Sequence, residues 1–406
     1  MLSLYEAAHL SIRGEDILDE ALDFSTYHLK SMVSSTEMII PQYLKEKVIH
    51  ALRWPIRKSL PRLDTRYYIS IYPKEDGFHE SLLKFAKLDF NMLQALYQDE
   101  LKSFTEWWQK SDLVDKLPYA RVRIEESYFW GSMATFAPQY TISRYMAAQM
   151  VSVLAIVDDN YDAYGTIEEL KLLTQAIQRW DSSSMDFLPD SMKLVYRDVI
   201  LETFTNFESL TAKDGQSQFL HYAIEAFKRI ARAYLQESEW CNKGYVPTYE
   251  EYIEISTVTG CQELLSEISF LGMGNSANKD VFDWATSNSK NFSASNIIAR
   301  LMGDIGTHKF EQKRKHVATS VECYTKQHGI TEAEAIKVLE EEVRNAWKDI
   351  NEDCLKPTTV PVPMIECLIN FVRVMNLLYE NESDKFTNTE LLKDYISSLF
   401  VNPILI

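Results

Sequence analysis

The residues Asp158-Asp159-Asn160-Tyr161-Asp162 close an apolar run from Met150 to Val157. On a helix, Asp158 and Asp162 fall at i and i+4, one turn apart on the same face. Like charges at that spacing repel, and the negative pole of the helix dipole adds to the cost. Bound divalent cations would remove it. Carboxylate oxygens suit Mg2+, which keeps several waters and bridges to substrate phosphates. Taken alone, the pattern is equally that of a solvated acidic helix end.

A second constellation raises the weight of the first. Thr307 and Glu311 stand at i and i+4 at the end of another apolar run that starts near Asn296. A hydroxyl and a carboxylate one turn apart can share a cation, although alone they read as a capping or surface pattern. A third group is basic. Arg121 and Arg123 flank Val122 just before the aromatic run Tyr128-Phe129-Trp130, and Arg300 lies one turn before Gly303. Guanidinium groups grip phosphate oxygens in a bidentate way and keep their charge. Singly these arginines are surface ion pairs. Together with the two acidic walls they form candidate diphosphate clamps.

The elements that must position these groups read as helices. Apolar residues recur at helical spacing through Leu83 to Leu96, Ile142 to Val157, Phe219 to Leu235, Tyr252 to Phe270, Ala294 to Phe310, Ala333 to Ile350 and Ile365 to Tyr379. Strand-like alternation is confined to short runs such as Tyr67 to Tyr72, which ends at Pro73. The stretch from Lys356 to Pro363 is a breaker between helices, and a weak boundary falls between Pro73 and Gly77. With 12 Gly and 12 Pro in 406 residues, a loop-rich β architecture is disfavoured. The expectation is an all-α fold.

The formal net charge of −17 disfavours nucleic acid or an anionic membrane as the main partner. A small phosphorylated ligand stays open, because metal ions can reverse the sign inside one pocket. The five cysteines form no CxxC pair and read as reduced thiols of an intracellular, cytoplasmic protein. The run of about 18 apolar residues that a membrane span needs is missing. The first residues lack the pattern of a signal or transit peptide. The eight histidines are scattered rather than spaced as metal ligands, which disfavours a metal hydrolase.

In order along the chain, these motifs resemble those of the plant class I terpene synthases. Arg121-Val122-Arg123 resembles the family's RxR loop. Asp158 to Leu170 resembles its aspartate-rich helix end and following turn, and Arg300 to Glu311 its second metal motif. Ala346 to Glu352 and the ending Leu399 to Ile404 are also similar. The resemblance covers essentially the whole chain. It points to the sesquiterpene cyclases of the cadinene and germacrene type.

The resemblance implies a helical bundle with the active site at its open end, and chemistry that begins with metal-assisted loss of diphosphate. Asp158 and Asp162, supported by Asp159, would bind Mg2+, and Thr307 and Glu311 another ion. A three-ion Mg2+ cluster is expected, with Mn2+ as a substitute. Arg121, Arg123 and Arg300 would receive the leaving diphosphate. Trp130 would face the carbocation with its ring. Thr259 and Gly260 match a kinked helix that exposes carbonyls to the cavity. Tyr379 and Asp384 match a pair on a lid, with Phe386 nearby, and would shape the cavity or relay a proton. The expected partner is a prenyl diphosphate, with no nucleic acid and no membrane span. The chain itself is expected as a monomer or weak homodimer.

Two departures stand out. Position 303 carries Asn or Asp in the family and Gly here, so the second ion would lose a side-chain ligand. Asp304 points about 100° around the helix. The chain also begins inside the family pattern: residues 1–75 resemble the remnant of an N-terminal helical domain, and residues 76–406 the catalytic domain. The remnant would expose apolar surface unless it packs on the catalytic domain or a partner. The leading expectation is a sesquiterpene synthase acting on farnesyl diphosphate. The alternatives are a monoterpene synthase using geranyl diphosphate and a degenerate relative that binds prenyl diphosphate with little turnover.

Overall fold

The computed structural model describes residues 1–35, 40–312 and 317–406, and among these every regular element is a helix. Four helices open the chain: α1 (Leu2–Ala8), α2 (Asp16–Ser34), α3 (Gln42–Arg53) and α4 (Pro61–Ile71). The strand-like run at Tyr67 lies inside α4, whose start is set by Pro61 at its first turn. Next come α5 (Glu80–Lys110), α6 (Leu113–Lys116), α7 (Ile124–Ala134) and α8 (Thr141–Asp159). The middle of the chain supplies α9 (Ile167–Arg179), α10 (Asp190–Leu194), α11 (Glu202–Thr211) and α12 (Leu220–Lys243). Then follow α13 (Tyr249–Thr259), α14 (Gln262–Gly272), α15 (Lys279–Thr286) and α16 (Lys290–Glu311). The last helices are α17 (Ser320–His328), α18 (Glu332–Asp353), α19 (Val362–Leu378) and α20 (Lys393–Phe400).

Local chemistry fixes many of the ends. Thr166 with Glu169, Thr248 with Glu251 and Thr331 with Glu334 form capping boxes that start α9, α13 and α18. Gly244 and Gly329 take left-handed backbone and stop α12 and α17.

At the centre of the bundle lies α8. With its flanks, residues 138–164, it is long and apolar enough to cross a membrane. This departs from the expectation that no segment would be. The segment is 78% buried inside the protein, so its apolar character is that of a core helix. Glycines let its neighbours close in. A Cβ at Gly131 of α7 would lie 2.6 Å from the Ala148 amide nitrogen, and one at Gly272 of α14 would overlap the Ser143 backbone. The buried Arg144 of α8 gives Glu100 of α5 two hydrogen bonds, at 2.8 and 2.7 Å, and Tyr128 of α7 donates to the same carboxylate at 2.6 Å. Removing one partner of such a buried pair costs about 3–5 kcal/mol.

The first 53 residues have a small core of their own, built on Tyr5, Leu29, Val48 and Ala51, whereas Leu60 and Ile69 of α4 belong to the large core. Polar contacts join this front segment to α18. Arg13 pairs with Asp349, Asp19 with Lys348, and Asn351 donates to the His9 and Ser11 carbonyls. Its outer face still leaves Ile17, Phe24 and Tyr27 exposed.

Candidate active site

The acidic run sits where α8 ends. Asp158 and Asp159 complete the helix, and Asn160–Tyr164 continue it as one wider π turn, closed by the Gly165 N–H on the Asn160 carbonyl at 2.8 Å. The widened turn replaces the plain α-helical end expected from spacing. Such bulges frequently mark functional sites. Asn160 holds the turn by donating to the Ile156 carbonyl, and it accepts from Tyr119 at 2.9 Å.

Asp158 keeps 40% of its side-chain surface exposed. Burial around the mouth, and next the charge of Asp162, push its carboxyl well above the usual range. With that much exposure, the pairing with Asp162 is the part that bears on ligand binding. Two carboxylates that resist joint ionisation are the donor set that a divalent cation satisfies.

The opposing wall is α16. Thr307 and Glu311 stand one turn apart at its end, as expected. Gly303 faces open space: a Cβ there would meet nothing within 4 Å. Asp304 points the other way and is buried. It accepts from the Tyr252 hydroxyl at 2.8 Å, the Ser320 amide at 2.8 Å and Arg300 at 3.2 Å. It is therefore a fixed structural carboxylate. Among the described residues, no three His, Cys, Asp or Glu side chains gather to hold one ion. Pairs of donors completed by water and phosphate are what Mg2+ takes; Asp158 with Asp162, and Thr307 with Glu311, are the candidate pairs.

The arginines are more engaged than spacing suggests. Arg121 binds Asp159 through Nη2 at 2.7 Å and Nε at 3.2 Å, and reaches the Thr387 hydroxyl at 3.3 Å. Arg123 donates to the Phe386 and Thr387 carbonyls, both at 3.1 Å. Arg300 donates to the Ser256 carbonyl at 2.9 Å and the Thr259 hydroxyl at 2.8 Å. Thr259 in turn donates a hydrogen bond to Glu237 at 2.9 Å.

The helix expected over Tyr252 to Phe270 is broken between α13 and α14. Gly260 keeps right-handed backbone, and the left-handed residue is Cys261, at φ 60°. The Cys261 thiol reaches the Thr259 carbonyl at 3.2 Å and lies 3.6 Å from the Tyr234 hydroxyl. Trp130 meets Phe386 edge to face, ring centroids 5.3 Å apart, and its indole N–H is buried without a partner.

Asp384 accepts the Phe386 and Thr387 amides at 2.9 Å each, so it shapes the turn between α19 and α20. Tyr379 packs on Gly306, where a Cβ would come within 3.0 Å of the Tyr379 Cβ. Burial first, then Asp384, Asp158 and Glu311, drive the Tyr379 hydroxyl well above its ordinary value, while Arg300 pulls it down. Carboxylates of α8, α16 and the turn after α19, together with Arg300, thus act on one phenol.

Glu237 of α12 is a member that spacing missed. Its carboxyl is pushed up to about 7, chiefly by burial, with Asp162 and Asp304 adding and Arg300 and Thr259 opposing. A carboxylate in line with the buried Ile230, Ala233 and Tyr234 was the available signal. A cleft of about 770 Å3 lies elsewhere, lined by residues of α3, α4, α20 and the C-terminal tail.

Known proteins resemble this chain along its whole length. A profile described as "Terpene synthase family, metal binding domain" matches residues 109–349, and "Terpene synthase, N-terminal domain" matches residues 1–52. The (-)-germacrene D synthase of Vitis vinifera is 46% identical over 404 residues, covering 100% of this chain and 72% of that protein. Sesquiterpene synthase 2 of Toona sinensis is 46% identical over 405 residues, with the same coverage of 100% and 72%. Among solved structures, isoprene synthase from grey poplar leaves (Populus x canescens) superimposes with a TM-score of 0.92 at 33% identity, covering 100% of this chain and 75% of that one. The same enzyme in complex with three Mg2+ ions and dimethylallyl-S-thiolodiphosphate gives 0.91 at 32% identity, covering 100% and 76%.

Proposed function

The chain belongs to the terpene synthase family, and from that premise we propose that it ionises and cyclises farnesyl diphosphate to a sesquiterpene, releasing diphosphate with the help of Mg2+. The observation that carries the reading is the arginine pair at the end of α8: Arg121 bridges Asp159 and Thr387, and Arg123 holds the Phe386 and Thr387 carbonyls. The fifteen-carbon substrate is favoured by the 46% identity to a protein named as a sesquiterpene synthase.

Asp158 and Asp162, with Asp159 behind them, would hold metal on the α8 side, and Thr307 and Glu311 on the α16 side. Three ions are supported by the number in the isoprene synthase complex, and Mn2+ would serve in their place. Bound metal supplies Lewis-acid stabilisation of the charge that develops on the departing diphosphate. The chain's own residues do the rest. Arg121, Arg123 and Arg300 present fixed donors to the leaving oxygens. An arriving diphosphate would compete with Asp159 and Thr387 for Arg121, and with the lid carbonyls for Arg123. Trp130 and Phe386 offer ring faces and edges to a cation, and the turn built on Asp384 keeps water out.

The test is product analysis by gas chromatography and mass spectrometry after incubation with farnesyl diphosphate and Mg2+, with geranyl diphosphate and a chelated sample alongside. Metal-dependent fifteen-carbon hydrocarbon is the expected result. Product from geranyl diphosphate alone would overturn the substrate, and a folded protein silent with both would overturn the activity.

A further inference from the structure

The segment between α19 and α20 carries Asp384, Phe386 and Thr387 over the acidic mouth. Its inner edge is held by Arg121 and Arg123. Its root is held by something chemically different. Glu380 keeps 12% of its side-chain surface exposed and faces two cations. Arg53 gives it Nη2 at 2.6 Å and Nε at 3.2 Å, and Lys385 lies 3.2 Å away. Lys385 is buried and also donates to the Leu377 carbonyl at 2.5 Å. Between them, Asn381 takes left-handed backbone at φ 56°, and the Lys385 amide returns to the Leu378 carbonyl at 3.1 Å. The chain therefore folds back on Glu380 just before the turn shaped by Asp384. Arg53 is the last residue of α3, and its guanidinium also reaches the Tyr395 hydroxyl of α20 at 3.2 Å. One side chain of the front segment thus meets both the root of the lid and the helix that follows it.

We propose that Arg53 and Glu380 are positioning residues, through which the N-terminal helical segment sets the lid on the arginine pair. A little-exposed carboxylate with two cationic partners has a defined place; Arg53 keeps 52% of its side-chain surface exposed, so its loss weakens the root by the modest amount typical of such a pair. The lid then has a weaker root while keeping its inner edge. The inference rests on the reading of this segment as the lid of a prenyl diphosphate site.

The test uses the full chain with Arg53→Gln, Glu380→Gln and Arg53→Lys. Hydrogen–deuterium exchange of residues 379–392 reads the lid directly, and α8 and α19 serve as internal references. Arg53→Gln and Glu380→Gln should speed lid exchange about fivefold and leave the references unchanged, while Arg53→Lys, which keeps the charge and loses the fork, should fall between them and the parent. With farnesyl diphosphate, kcat should fall, KM should change little, and the share of water-quenched alcohol should rise. Unchanged lid exchange in both Gln variants would overturn the proposal, as would acceleration spread through α8 and α19. Exchange needs no turnover, so a parent without product counts against the proposed activity while the lid data still decide this inference.

Discussion

Tyr252 donates its hydroxyl hydrogen to Asp304 at 2.8 Å, in a pocket where the same carboxylate also accepts from the Ser320 amide and Arg300. Asp304 is therefore committed to the α13 and α17 side of α16 and cannot stand in for a ligand at position 303. Gly303 meanwhile faces open space. We predict that Gly303→Asp lowers the Mg2+ concentration for half-maximal turnover about tenfold, the size of effect that supporting groups have on metal affinity. A Mg2+ titration of product formation, with the metal-induced shift in Tm as a second readout, checks it. Identical titrations for parent and variant would show that the second site does not depend on that position.

Stability without metal should fall as pH rises. Glu237 has its carboxyl pushed up to about 7 from an ordinary 4.5, and burial leads the causes. Its protonated form is favoured by the fold, so the stabilisation is complete below pH 4.5 and is lost as pH rises through 7. The span amounts to about 3 kcal/mol. Tm measured from pH 5 to 8 in chelator should decline for the parent and decline less for Glu237→Gln, which keeps an acceptor for Thr259.

Arg121 bridges three parts of the site: its own loop, Asp159 and Thr387. A lysine there has one compact donor group and cannot span the same fork. Arg121→Lys should lower kcat by about tenfold to a hundredfold with Tm close to the parent. Steady-state kinetics beside a melting curve test this. A variant with parental kcat would remove Arg121 from the machinery.

The helix contacts made through glycine should be intolerant of a methyl group. Gly131→Ala puts a Cβ 2.6 Å from the Ala148 amide nitrogen, which is backbone and cannot swing aside. The variant should lose about 2 kcal/mol or more, read by urea denaturation. Gly303→Ala, with nothing within 4 Å of the new atom, is the control and should match or exceed the parent in stability.

Much of this site was legible because helices expose their period. The end of α8, the pair on α16 and the break between Lys356 and Pro363 all follow from spacing and from proline chemistry. What spacing could not give were the partners. Arg123 and Arg300 spend their donors on backbone carbonyls brought near by the fold, and no local pattern announces that. The helix break was marked by Gly260, yet the left-handed residue is Cys261. A cysteine tolerates that backbone because its thiol is seated between Thr259 and Tyr234, a tertiary effect. The resemblance leaves Asp384 between shaping the cavity and relaying a proton, and its two amide hydrogen bonds show that it shapes a turn, which spacing alone does not announce.

Because α7 and α14 both press on α8 through glycine, the helix that carries Asp158 in its last turn has no room to shift or rotate. It is the fixed datum of the molecule. The α13–α14 break is tied to that datum as well: α14 meets α8 at Gly272, and Ser256 and Thr259 hold Arg300, so a substitution at the break would reach a proposed diphosphate clamp.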